Sequence, residues 1–325
     1  MEKIIDPVPL ELIQKELTDD KLLRETNKGG NLLYVIDCNS APNTLKEIGR
    51  LREITYRAAG GCSGKAADLD EYDYLKNPYQ QLIVWDPDVK AIIGGYRFLY
   101  GKDAQFKENG QPRISSSALF RYSDVFIKDY LPHSIELGRS FVRPEYQSSI
   151  SGAKALFAMD NLWDGIAAIM LSKPGTQYLF GKMTFYKSYD TSALHLILHF
   201  LDKHFKDTEN LVTPYLPIKT SADKRLLDLI LKEDNLRADY RCLKSAVRHL
   251  GTGIPPLVNS YINISSSMKI FGSALETDFS DAIDTGLMID FRDIYPEKLN
   301  RHISSFVRRG KRNITLKARH TVDIK

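Results

Sequence analysis

The stretch His133-Ser-Ile-Glu-Leu-Gly-Arg-Ser-Phe-Val-Arg-Pro-Glu-Tyr-Gln147 is the densest gathering of chemistry-bearing side chains in the chain. Its apolar positions and length predict a strand from Ser134 to Val142. On such a strand Ser134, Glu136, Gly138, Ser140 and Val142 share one face, and Ile135, Leu137, Arg139 and Phe141 the other. Glu136 and Arg139 then point apart unless a bulge re-aims one of them. A charge on each face is unusual near the middle of a wholly buried strand. An edge strand with structural ion pairs accounts for it, and so does a functional site.

Working outward, Gly152 to Leu171 predicts a helix, Tyr178 to Tyr186 a strand and Thr191 to Phe205 a helix. Upstream, Gln81 to Trp85 and Ala91 to Tyr100 read as strands joined by Asp86-Pro-Asp-Val. Gly94 and Gly95 sit inside the second, where glycine marks a bulge or a close backbone approach. Phe120 to Phe126 is a further strand candidate. A helix opens with Ser40 as cap and Pro42, carries Leu45, Ile48, Leu51 and Ile54 on one stripe, and ends at Ala59-Gly-Gly. The first residues read as a helix from Pro9 to Glu25, a turn at Asn27-Lys-Gly-Gly and a strand from Leu32 to Ile36. Beyond Phe205 come charged amphipathic helices, Ala222 to Lys232 and Leu236 to Leu250, then extended stretches at Met268 to Ser273 and Gly286 to Phe291. With no low-complexity linker, the expectation is one continuous mixed α/β unit: an N-terminal helix and strand (1–40), a core (41–250) and a C-terminal extension (251–325).

The 325 residues are 43% hydrophobic and 26% charged, which excludes disordered and fibrous classes. A net charge of +4 is too small for a generic nucleic-acid binder. Three cysteines cannot build a disulfide framework, so a reducing compartment is expected. The opening MEKIIDPVPLELIQKELTDD has no apolar run of signal-peptide length, and Ala153 to Leu171 carries Lys154, Asp160 and Asp164. A cytoplasmic location is expected, with peripheral attachment to a membrane open. His195 and His199 are four apart on a helix but lack the glutamate of a metalloprotease helix, and no metal is expected.

After the strand, Val142-x-Pro144-x-x-Gln147 and Gly152 lead into the helix, an order that resembles the acyl-CoA-binding signature of the GNAT acyltransferase fold. In that fold loop N–H groups and a helix N-terminus receive a pyrophosphate. Ile150 stands where the first loop glycine is expected, leaving Gly152 alone. Glu136-Leu-Gly-Arg139, Asn161-Leu-Trp-Asp-Gly-Ile166, Tyr178-Leu-Phe-Gly181 and Gly94-Gly-Tyr-Arg97 together resemble the bacterial N-acyltransferases of lyso-ornithine and lyso-glycine lipid synthesis, often labelled hemolysins. These are akin to acyl-homoserine-lactone synthases. Gly253-Ile-Pro-Pro256-Leu and Phe279 through Asp290 extend the likeness over about residues 45 to 300.

The resemblance implies a GNAT-like fold with a central, largely antiparallel sheet. It also implies transfer of a (3-hydroxy)acyl chain from acyl carrier protein to the amine of a small amino acid, with no bound cofactor. Acyl-CoA is the alternative donor, and a non-catalytic interaction module the alternative class. Arg52, Asp70, Asp73, Arg97, Glu136 and Arg139 fall near recurring charged positions of the synthase branch. A solvated acidic turn competes for Asp70 and Asp73, and a wet helix edge for Arg52. An amine attacking a thioester must lose a proton, and the tetrahedral oxygen needs a donor. Glu136 is therefore expected to act as the acid–base or amine-orienting group, Arg139 with Arg97 to order the acids, and a backbone N–H near Phe141 or Val142 to meet the carbonyl. Gln147 and Gly152 belong to the donor loop. Tyr186 and Tyr189 line the thiol tunnel or pack as an aromatic rim.

Charge is distributed unevenly. Residues 298–325 hold nine basic side chains and one acid, leaving the preceding 297 with 36 basic and 40 acidic. A solubilising tail, adsorption to an anionic membrane surface and docking to an acidic carrier all use such a segment.

Overall fold

A computed structural model describes residues 1–147, 153–218 and 222–302. Its strands in chain order begin with β1 (Leu22–Glu25), β2 (Leu32–Ile36), β3 (Gln80–Asp86) and β4 (Ala91–Tyr100). The short β5 (Gln105–Phe106), β6 (Pro112–Arg113) and β7 (Phe120–Tyr122) precede β8 (Ser134–Val142) and β9 (Tyr178–Phe185). The last are β10 (Val212–Pro214), β11 (Lys269–Glu276) and β12 (Ala282–Asp290). The helices are α1 (Leu10–Glu16), α2 (Pro42–Ala59), α3 (Ala153–Ser172), α4 (Thr191–Phe205), α5 (Lys224–Ile230), α6 (Leu236–His249) and α7 (Pro256–Ile262). Residues 296–302 form a further helical segment.

Eight strands make one sheet in the order β1-β2-β3-β4-β8-β9-β12-β11, antiparallel throughout except for β8 beside β9. Its strands come from the first forty residues, the middle and the late part of the chain alike. Period-two alternation sorts β3 cleanly: Ile83 and Trp85 pack with α2, while Leu82 and Val84 pack with α3. The sheet is thus covered on both faces, which is why its strands read as near-continuous apolar runs.

Several local expectations give way to longer-range partners. The predicted Pro9–Glu25 helix stops at Glu16, and Leu22–Glu25 becomes a strand because β2 offers it an open edge, with Leu22 opposite Tyr34. Ser40 does not cap α2; its hydroxyl accepts from the Asp37 N–H at 3.0 Å. The Glu16 carboxylate does so instead, accepting from the Asn43 and Thr44 N–H groups at 3.0 and 2.7 Å, where the helix dipole favours negative charge. Phe120–Phe126 is strand only to Tyr122; Ser123 then accepts from the Phe126 N–H at 3.1 Å and starts a helical turn. The late extended stretches are full strands that join the main sheet through β9.

The feature that positions the site is a split. β8 pairs with β9 only from Ser134 opposite Tyr178 to Leu137 opposite Gly181, although β8 continues to Val142 and β9 to Phe185. Beyond that point β8 stays with β4 and β9 with β12, so the sheet opens between them. At the last contact a Cβ on Gly181 would stand 2.3 Å from the Leu137 carbonyl oxygen, so only glycine fits there. Gly94 meets the same constraint, its Cβ position lying 2.4 Å from the Phe141 oxygen.

Candidate active site

A cavity of about 940 Å³ occupies this split and reaches both faces of the sheet. On the α2 side it is lined by Tyr56, Asp68, Asp70, Arg97, Glu136 and Arg139, and on the α3 side by Tyr96, Ala158, Met159, Pro256 and Tyr261. Glu136 and Arg139, three apart, share the cavity because β8 is bulged. Arg97 stands opposite Gly138 and Gly95 opposite Phe141, so two β8 residues, Arg139 and Ser140, face one on β4. Arg139 takes the left-handed conformation at φ +49°, which turns its side chain from the expected opposite face. Phe141 and Val142 line the cavity too but remain in register with Gly95 and Gly94; the residues displaced from the ladder are Arg139 and Ser140.

The acidic segment after α2 is buried against three arginines. Arg97 is 2% exposed, with Nη1 2.6 Å from Asp70 Oδ1 and 3.2 Å from Asp73 Oδ2. Its guanidinium lies over the Tyr79 and Tyr72 rings, 5.0 and 5.8 Å from their centroids. Arg139 Nε is 3.1 Å from Asp68, Nη2 3.4 Å from Asp70, and its guanidinium rests on Phe279. Asp70 and Asp73 also close a capping box on the turn at Glu71–Tyr74, Asp70 accepting from the Tyr72 N–H and Asp73 from the Asp70 N–H. Burial works to raise the Asp70 carboxyl, but Arg97, helped by Arg139 and Arg52, outweighs it and holds the group at about 2.

Arg52 and Asp73 are wholly buried and do not line the cavity. Arg52 donates to Gln81 Oε1, Gln81 donates to Asp73 at 3.0 Å, and Asp73 returns to Arg97. They hold Arg97 from behind. Glu136, 2% exposed, accepts from the Tyr79 hydroxyl, the Ser116 hydroxyl, the Ser116 N–H at 2.9 Å and the Ser115 hydroxyl at 3.4 Å. Those donors fix its rotamer at the cavity wall. Tyr189 lies away from the cavity and donates to the Gly253 carbonyl at 2.8 Å, bracing the segment that brings Pro255 and Pro256 to the wall. Tyr186 does line it, its hydroxyl pushed up to about 12 by burial and then by Asp284. Gln147 lines it and donates to the Val142 carbonyl at 2.5 Å, while Gly152 lies outside the described residues.

Sequence reasoning missed the half of the site that late strands supply. Lys182 on β9 faces the cavity with its ammonium 2.6 Å from Asp284 on β12 and 3.2 Å from Glu276 on β11. Burial works against its charge, but the two carboxylates raise it overall. Tyr96 was also missed: its buried hydroxyl is left without a hydrogen bond of good geometry beside Ser140 and Tyr261. Of the two histidines four apart on α4, His199 meets Asp228 of α5 at 2.8 Å, and no group of three or more potential metal ligands gathers among the described residues. None of the described helices is long and apolar enough to cross a membrane.

The gap between two adjacent parallel strands, with charged side chains on one face and an apolar channel on the other, gives an extended apolar substrate and a small polar one separate approaches to the same point in the sheet. A family profile described as Acetyltransferase (GNAT) domain matches residues 51–155. A glycine N(alpha)-acyltransferase of Phocaeicola vulgatus is 50% identical over 308 residues, covering 95% of this chain and 94% of that protein. One from Bacteroides thetaiotaomicron is also 50% identical over 308 residues, covering 94% and 91%. The chain belongs to this family of bacterial GNAT-fold N-acyltransferases. A CoA-dependent acyl-homoserine lactone synthase solved with SAM and isopentyl-CoA aligns at 13% identity and a TM-score of 0.36, over 83% of this chain and 87% of that one, a likeness that places no residue.

Proposed function

We propose that this enzyme transfers a long-chain acyl group from acyl carrier protein to the amine of glycine, giving an N-acylglycine, the lyso form of an aminolipid. The acceptor follows from the two glycine N-acyltransferases that share half of its residues along nearly the whole chain. The observation that carries the chemistry is the cavity through the β8–β9 split, acid-lined on one face and apolar on the other.

In this reading the thioester lies in the split with its acyl chain toward Met159 and Tyr261, and the amine approaches from the Asp70–Arg139 face. Glycine gives up its ammonium proton to solvent before attack; Glu136, held by Tyr79 and Ser116, orients the free amine and takes the second proton, lost as the C–N bond forms. The backbone displaced at Arg139–Ser140 offers the tetrahedral oxygen its donor. As the C–S bond breaks, the Tyr96 hydroxyl, which lines the gap without a hydrogen bond of good geometry, gives the thiolate its proton and recovers one from solvent. Arg97 and Arg139 are positioning residues that keep three carboxylates compact. Direct attack needs no enzyme nucleophile.

The carrier-borne donor is favoured by Ile150, because the loop retains one glycine of a pyrophosphate clamp and phosphopantetheine on a carrier has no nucleotide pyrophosphate. A place on the inner surface of the cytoplasmic membrane, through residues 298–325, suits an amphiphilic product. Purified protein supplied with isotope-labelled glycine and either acyl carrier protein or CoA thioesters tests the reading by mass spectrometry. The expected result is labelled N-acylglycine, formed with a higher kcat/KM from the carrier. Failure to label glycine with either donor refutes the acceptor, and a preference for CoA refutes the donor.

A further inference from the structure

A second cavity of about 610 Å³ lies outside the catalytic one, between α3, α6, α7 and residues 296–302. Its floor is apolar: Trp163, Ile166, Leu236, Ile262, Phe291 and Ile294. Its rim is basic. Arg237 and Lys244, exposed on α6, and Lys298 opposite them have no ion-pair partner among the described residues, whereas Arg301 is taken by Asp160 and His302 by Asp164. Arg241 and Arg248 prolong the α6 stripe at helical spacing, exposed likewise. The two cavities share Met159 and Pro256 as wall.

Their charges are opposite in sign. The catalytic cavity is lined by seven acidic side chains and four lysines or arginines, the second by four lysines or arginines and two acids. An amino acid enters as a zwitterion with no net charge. Acylation turns its ammonium into a neutral amide, so the product leaves with a bare carboxylate on a long apolar chain. That anion is repelled by the wall where it is made and matched, head and chain, by the cavity next door.

We propose that the α3–α6–α7 cavity is a product-binding site for an N-acyl amino acid, its chain on the Trp163 floor and its carboxylate on Arg237, Lys244 and Lys298. This rests on the acceptor being an amino acid, and its test is a binding measurement independent of turnover. Trp163 is one of two tryptophans in the chain, the other being Trp85 in β3, so a Trp85→Phe protein reports from the cavity floor. Titration with N-palmitoylglycine below its micellar concentration is expected to shift Trp163 emission saturably. Arg237→Glu with Lys244→Glu, and separately the uncharged N-palmitoylglycinamide, are expected to weaken binding about tenfold or more.

No saturable shift, or equal binding of acid and amide, overturns the proposal. If Arg237→Glu/Lys244→Glu abolishes attachment to phosphatidylglycerol vesicles while N-palmitoylglycine leaves Trp163 unchanged, the basic rim serves a membrane lipid and the product site is refuted. Turnover is followed in the same proteins. Acylation of glycine without product binding removes this site and leaves the function; charge-dependent binding without acylation of glycine leaves the site and removes the function.

Discussion

Replacing Asp70 by asparagine keeps the shape of the side chain and an oxygen for the Tyr72 N–H, and removes one negative charge from between Arg97 and Arg139. The Asp70 carboxyl is held at about 2 against an ordinary 3.8. A group whose folded value is depressed adds stability that is full above the unfolded value and lost as pH falls through the folded one. The difference corresponds to about 2 kcal/mol at pH 7, falling to about half by pH 3 and to a few tenths at pH 2. With its side chain only 21% exposed, Asp70 is shielded enough for most of that to be felt. Urea unfolding of wild type and Asp70→Asn at pH 7, 4 and 3 reads it directly. The variant is expected to be less stable by about 2 kcal/mol at pH 7, with the gap narrowing toward pH 3. Equal stability at pH 7 would refute the view that Asp70 neutralises the arginine pair. A gap that stays constant down to pH 3 would refute the charge argument and leave only a change of shape.

Glu136→Gln is expected to lower kcat/KM for amine acylation by about two orders of magnitude and to flatten its dependence between pH 6 and 9, as loss of a general base does; an unchanged profile excludes Glu136 from proton transfer. Gly181→Ala should destabilise by on the order of 2 kcal/mol, because the new methyl meets the Leu137 carbonyl where β8 and β9 last touch; an unaltered thermal midpoint would show that the strands part there without cost. Removing the residues after Gly310 should weaken binding to anionic liposomes more than it lowers turnover with soluble donor, because it takes away five lysines or arginines. Equal liposome binding by the truncated protein rules that role out.

The strands and long helices were legible because each carries its period in its own residues: Leu45, Ile48 and Leu51 mark α2, and the run from Ala91 to Tyr100 marks β4. What local reading lost was decided by partners far along the chain. Glu16 displaced Ser40 as the cap of α2 from 26 residues away from Pro42, and β2 converted the end of a predicted helix into an edge strand. The acidic segment fared better than a solvated turn would suggest. Asp70 and Asp73 were visible, but only the fold puts Arg52, Arg97 and Arg139 around them and Asp68, and only burial turns that meeting into a buried charge cluster.

The same contrast explains why half of the active site escaped notice. Glu136 and Arg139 drew attention by sitting on one strand, yet strict alternation would have parted them, and the device that reunites them is an arginine at φ +49°, a conformation no sequence pattern announces for a residue with a side chain. Lys182 lies about a hundred residues before Glu276 and Asp284, and the three belong to no motif; β9, β12 and β11 align them because antiparallel register sets Thr184 against Asp284 and Glu276 against Ala282. That register also carries Phe279 under the Arg139 guanidinium. The late strands therefore do more than extend the sheet. They supply the wall opposite the Asp70–Arg97 cluster, so a truncation that removes β11 and β12 would take away Lys182's partners and the aromatic support of Arg139 together, leaving the lysine uncompensated and Arg139 held by Asp68 and Asp70 alone beside the cavity in which the amine must react.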